Sequence, residues 1–132
     1  MSYKLSKTSL SRLDGVHPDL VKVVIRAIAI SRIDFGVAQG LRTYEQQIQL
    51  VAEGKSTTLN SKHLPQADGY AHAVDLFAFV DGKADWTYQN LRLIIQAMMT
   101  AAIEEGVQIK AGGLWRDFLD SPHFELDQEY YA

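Results

Sequence analysis

Apolar residues crowd the segment from Leu20 to Ile30 and leave only a thin polar stripe of Asp19, Lys22 and Arg26. That pattern predicts a mostly buried helix, with Pro18 in its first turn and Asp19 complementing its positive end. Ile33 to Gln39 reads as a short strand ending at Gly40. Thr43-Tyr44-Glu45-Gln46 is a capping-box pattern, so a helix is expected from there to about Glu53, stopping at Gly54. Lys55 to Ala67 is rich in Ser, Thr, Asn and Pro and is expected to be a loop. Ala71 to Val80 alternates and carries Val, Leu and Phe, which predicts a strand closed by a hairpin turn at Asp81-Gly82. Leu91, Ile94, Ile95, Met98 and Ala102 follow the i, i+3, i+4, i+7 spacing of a helix over Tyr88 to Glu105, and Gly106 suits its C-terminal cap. Val107 to Lys110 and His123 to Leu126 read as short strands flanking a Gly112-Gly113 loop. Helices early, strands late and hairpin-like connections define an α+β class, with a small antiparallel sheet packed with helices.

Composition narrows the field. A chain of 132 residues is one domain, able to bury about two-thirds of its unfolded surface. Its 47% hydrophobic and 22% charged content excludes disorder. A formal charge of −3, with Lys and Arg scattered, argues against nucleic acid as a partner. Met1 to Lys7 lacks the apolar core of a signal peptide, so the expected place of synthesis is the cytoplasm. The longest apolar stretch, Leu20 to Ile33, is interrupted by Lys22, Arg26 and Arg32 and is too short and too charged for membrane insertion. No repeat or Gly/Ser/Pro-rich linker divides residues 1–132.

The chemistry gathers around one strand. Strand alternation puts Ala73, Asp75, Phe77 and Phe79 on one face, and His72, Val74 and Leu76 on the other. A carboxylate in so apolar a strand is costly to bury alone, so a cation is expected beside Asp75: a metal, or equally an Arg or Lys. His72 is nearest in sequence but points away in a regular strand. His63 lies in a polar loop able to fold back, although a lone loop histidine is usually just solvated. His123 and Glu125 share a face of the last strand, with Phe124 and Leu126 directed to the core. Asp120 precedes His123 by three residues, placed to reach an attacking water or simply to cap the turn at Pro122. Two imidazoles, one carboxylate and an open fourth position form a hydrolytic Zn²⁺ site; a closed structural site would normally use thiolates, and the chain has no cysteine.

These segments resemble a family of zinc peptidases: the VanY- and VanX-type D-alanyl-D-alanine peptidases and the phage L-alanyl-D-glutamate endopeptidases. Ser61-Lys62-His63 matches the family's Ser-x-His, and Asp120 to His123 its late Asp-x-x-His. Gly40-Leu41-Arg42-Thr43, with Gln47 beyond, is similar to its Gly-x-Arg-Ser/Thr segment. Gly113-Leu114-Trp115 through Pro122-His123-Phe124-Glu125 looks most like the L-alanyl-D-glutamate branch. The resemblance covers residues 36 to 126. Two departures stand out around the family's Gly-x-Ala-x-Asp: the spacer from His63 to Asp75 is longer, with Leu64 to Tyr70 as a loop insertion, and Ala71 occupies the place of that motif's glycine. They leave His72 open as an alternative ligand to His63.

The resemblance implies a Hedgehog/D-Ala-D-Ala-peptidase-like fold and a single zinc peptidase catalytic domain with no separate wall-binding domain. It implies Zn²⁺ held by His63, Asp75 and His123, a general base at Asp120, and Arg42 facing the substrate carbonyl. Gln47, Trp115 and Glu125 become candidates for supporting the ligands or binding substrate. The implied partner is the peptidoglycan stem peptide, cut at L-Ala–D-Glu in the periplasm by a monomeric phage endolysin, with a separate holin for release. The alternatives are a D-Ala-D-Ala carboxypeptidase or dipeptidase, or a non-catalytic zinc-containing wall-binding protein.

Overall fold

The computed structural model describes residues 2–56, 58–114, 120 and 122–132. Its elements run α1 (Lys7–Arg12), α2 (Pro18–Ile30), β1 (Phe35–Gln39), α3 (Tyr44–Ala52), β2 (Ala73–Val80), β3 (Lys83–Asp85), α4 (Tyr88–Glu105), β4 (Ile109–Ala111) and β5 (His123–Leu126), with a 3₁₀ turn over Gly112–Leu114. The predicted α+β class with a small antiparallel sheet is what forms. None of the described helices is long and apolar enough to cross a membrane.

β2 organises the sheet. Asp75 pairs with Gln39 of β1 and with His123 of β5, so these two strands occupy opposite edges of β2. β3 extends the β5 side beyond Ala78, and β4 pairs antiparallel with β5. Asp81, at φ 51°, and Gly82, at φ 76°, supply the left-handed pair that a tight β2–β3 hairpin needs. Val74, Leu76 and Ala78 of β2, with Phe124 and Leu126 of β5, face α2 and α4 and are essentially closed to solvent. Truncating a side chain as large and buried as Phe124 costs about 3–5 kcal/mol. The opposite face of the same strands is left for Asp75, His123 and Glu125.

α3 begins with the expected capping box: the Thr43 side chain accepts from the Gln46 N–H, and the Gln46 side chain accepts from the Thr43 N–H. α4 runs over the expected residues and ends on Gly106 at φ 71°. Four expectations need correcting. β4 runs Ile109–Ala111 and not Val107 to Lys110, because the Val107 N–H donates to the Ala102 carbonyl and closes the end of α4. α2 buries only one face; Ile25, 44% exposed, and Ala29 lie outward, because α4 and the sheet cover a single side. β1 starts at Phe35, since the Ser31 hydroxyl donates to the Ile33 carbonyl and bends the chain there. β2 starts at Ala73, with Ala71 forming only an isolated parallel bridge to Val16.

α1 has no clear apolar periodicity and was not expected. Ser6 caps it, and buried Ser9 accepts a hydrogen bond from the Val37 N–H while Arg12 donates to the Val37 carbonyl. These two polar side chains cover the outer edge of β1. A register shift between Val37 and Gln39 then bends β1 towards Gly40 and Arg42. Gly40 packs against the Arg12 carbonyl so closely that a Cβ would not fit.

Candidate active site

Asp75 and His123 are direct cross-strand partners, so sheet register alone sets them side by side. His123 Nδ1 lies 3.1 Å from Asp75 Oδ1, and its Nε2 lies 2.8 Å from Glu125 Oε1. The loop after α3 brings His63 over the same carboxylate, with Nε2 3.3 Å from Asp75 Oδ1. One ligand atom from each of His63, Asp75 and His123 lies within 4.8 Å of the other two.

The hydrogen bonds fix how the imidazoles present themselves. His63 Nδ1 is 2.9 Å from the Gly40 carbonyl, which only accepts, so this nitrogen carries the ring proton. The neutral ring then aims a lone pair from Nε2 at a carboxylate oxygen. That nitrogen is buried and, among the described residues, has no hydrogen-bond partner. Either a proton or a metal cation has to stand between Nε2 and Asp75, and the donor set suits zinc. Glu125 holds His123 Nε2 in the same way and leaves Nδ1 directed at Asp75. The three side chains therefore fit a metal.

Their electrostatics follow from that crowding. Burial opposes the charge on Asp75, yet the two imidazoles against it hold its carboxyl well below the usual carboxylate range. Burial likewise opposes charge on His123, but hydrogen bonds and charge from Asp75 and Glu125 raise its pKa to about 9. Asp120 sits beside the cluster, its N–H donating to the Gly112 carbonyl and its own carbonyl accepting from the His123 N–H. Gly112 admits this contact because it has no Cβ to meet the Asp120 backbone. Burial, with Asp75 and Glu125 nearby, pushes the Asp120 carboxyl above its ordinary value against the opposing charge of His123 and His63.

Arg42 enters from the end of β1. Its N–H donates to the His63 carbonyl at 2.8 Å, and its Nη1 donates to Gln47 Oε1 at 2.6 Å. Gln47 is fully buried and spends its amide on Ser56 Oγ and the Thr58 carbonyl. It is a brace for Arg42 and does not face the cleft. Burial lowers the Arg42 pKa, opposed by the Asp75 charge. A cleft of about 580 Å³ opens over these groups, lined among the described residues by Arg42, Lys62, His63, Asp75, Asp120, His123 and Glu125 along with Gly54, Lys55, Ser56, Thr58, Asn60 and Ser61 of the loop. That volume suits a short peptide. A larger groove of about 860 Å³ runs along α2 and contains none of these residues.

The two histidines lie in different places. His72 is 1% exposed and lies with His17 and Tyr131, its Nε2 2.8 Å from Asp68 Oδ2. It is not part of the cluster, and His63 is. Trp115 lies outside the described residues. Sequence reasoning missed the Gly40 carbonyl that orients His63, the Ser56–Thr58 clamp on Gln47, and Lys62 in the cleft wall. Only Lys62 carried a signal, as a cation adjoining a candidate ligand.

Two histidines and an aspartate able to hold a metal, at the floor of a peptide-sized cleft, are what a metal-dependent hydrolase requires. The chain belongs to the phage L-alanyl-D-glutamate peptidase family, whose model matches residues 1–127. It is 34% identical over 119 residues to the L-alanyl-D-glutamate peptidase of Escherichia phage T5, covering 87% of this chain and 83% of that protein. The fold is similar to the crystal structure of the Serratia marcescens L-Ala D-Glu endopeptidase ChiX, with TM-score 0.87 and 36% identity over 99% of this chain and 96% of that one.

Proposed function

We propose that the protein is a zinc-dependent phage endolysin that hydrolyses the L-Ala–D-Glu bond of peptidoglycan stem peptides. The observation that carries this reading is the buried His63 Nε2, fixed as an acceptor by Gly40 and facing Asp75 and His123 across a metal-sized gap. Family membership supports the substrate class. His63, Asp75 and His123 hold the ion, and Glu125 orients His123 through Nε2. Bound there, zinc supplies Lewis-acid polarisation of the scissile carbonyl and lowers the pKa of water.

The chain's own groups do the rest. Asp120 takes the proton from the attacking water as its oxygen bonds to the carbonyl carbon. It then delivers that proton to the glutamyl nitrogen as the C–N bond breaks, which leaves an alanyl carboxylic acid and a glutamyl amine, between which the remaining proton then moves to give carboxylate and ammonium. A carboxyl raised by burial is better matched to both transfers than an ordinary one. Arg42, braced by Gln47, stabilises the negative charge growing on the carbonyl oxygen. Digestion of purified sacculi, with products resolved by mass, tests the reading. New amino-terminal glutamyl peptides, abolished by a chelator and restored by zinc, are expected. Release of terminal D-alanine alone would point to a D-Ala-D-Ala peptidase.

A further inference from the structure

The cleft wall holds a cation that the proposed mechanism does not use. Lys62 precedes His63 and lines the cleft, half-buried. Its backbone is pinned where the Lys62 carbonyl accepts from the His72 N–H at 2.8 Å. Its ammonium lies 3.5 Å from Gln66 Oε1, while the Gln66 amide nitrogen donates to the Ser61 and Leu64 carbonyls. A neutral amide thus holds the charge in place without cancelling it. The other cations of the wall are differently engaged: Lys55 is 3.4 Å from Glu53, and Arg42 is tied to Gln47 beside Asp75. Among the described residues, no carboxylate lies within 4.0 Å of the Lys62 ammonium.

The substrate class supplies what is missing. A glutamyl residue within a peptide keeps one of its two carboxyl groups free, whichever of them continues the chain. In an L-Ala–D-Glu bond that carboxylate sits on the leaving side, a few bonds from the nitrogen being released. We propose that Lys62 is a specificity-determining residue that pairs with this free glutamyl carboxylate and selects it over the carboxamide. The inference rests on the peptidase reading above. A carboxamide offers the ammonium only a neutral acceptor, and charge-assisted hydrogen bonds are roughly twice as strong as neutral ones. Because the pairing is made on the leaving residue next to the scissile bond, it also orients that bond over the ligands.

Two synthetic stem peptides, differing only in a free carboxylate or a carboxamide on D-glutamate, test this with the zinc-loaded protein. Wild type is expected to favour the acid by roughly 10- to 100-fold in kcat/KM, the range of one charge-assisted hydrogen bond. Lys62→Met keeps the stem length, retains zinc, and is expected to bring the ratio near one, mainly through a higher KM for the acid. Lys62→Arg is expected to restore most of the preference, and Lys62→Glu to reverse it. An unchanged acid preference in folded, zinc-loaded Lys62→Met overturns the assignment, as does a wild type that cuts both peptides equally well. A wild type that cuts neither peptide overturns the peptidase reading itself, and the assignment with it.

Discussion

His63 and Asp75 meet nitrogen to oxygen at 3.3 Å, with the other nitrogen of His63 already committed to the Gly40 carbonyl. With His63 neutral and Asp75 ionised neither atom carries a proton, so a proton or a metal cation has to stand between them. Gly40 sits where β1 turns towards Arg42, so the segment that orients the ligand also delivers the candidate oxyanion donor.

Replacing the two histidines separates the cluster from its neighbour. His63→Ala is expected to abolish stoichiometric zinc and activity. His72→Ala keeps both and loses thermal stability, because it removes a buried ring and its part-buried contact with Asp68. Metal analysis and melting curves on the two variants decide; zinc lost only from His72→Ala would reverse the assignment.

Asp120→Asn keeps the shape of the side chain but cannot take a proton. Zinc content and melting temperature should hold while turnover falls by about 10²–10⁴, the usual contribution of positioned acid–base catalysis. A role limited to capping the turn at Pro122 gives the opposite profile, with about 1 kcal/mol of stability lost and activity largely kept.

Arg42→Lys preserves charge and loses the planar fork held by Gln47. Normal zinc binding with turnover reduced by about 10²–10³ is expected. Gln47→Leu should reproduce part of that loss from a distance. Wild-type rates in Arg42→Lys would reduce the Arg42 segment to a structural turn.

Acid behaviour away from the metal can be read at Asp68. Burial works against its charge, but the Tyr70 N–H and the neighbouring His72 and His17 hold its carboxyl below the ordinary value. A depressed folded pKa adds stability above the unfolded pKa and loses it as the pH falls through the folded one. The melting-temperature gap between wild type and Asp68→Asn, measured without metal, should therefore be constant near neutrality and narrow below pH ~4. A gap that persists into strong acid would remove charge from the explanation.

Much of this was legible in the chain because local chemistry and tertiary structure agree. The Thr43–Gln46 capping box and the Gly106 cap mark helix ends through bonds made within a few residues. Strand alternation separated His72 from Asp75, and the structure keeps them apart. The misses came where distant partners decide. α1 is held by Ser9 and Arg12 reaching β1, a pairing 25 to 28 residues away that no local period encodes. The outward face of α2 reads as apolar, and only the arrangement of α4 and the sheet shows it uncovered. Gln47 could have faced substrate or supported Arg42; its clamp on Ser56 and Thr58, formed by the loop closing back, settled its place.

Zinc held by His63, Asp75 and His123 would be visible by anomalous scattering at the zinc edge from crystals grown with one equivalent of the metal. One strong peak is expected about 2.0–2.2 Å from His63 Nε2, His123 Nδ1 and an Asp75 oxygen, with Asp120 close by but not ligating. A peak centred on His72 and Asp68, or no ordered zinc between His63 and Asp75, would contradict it.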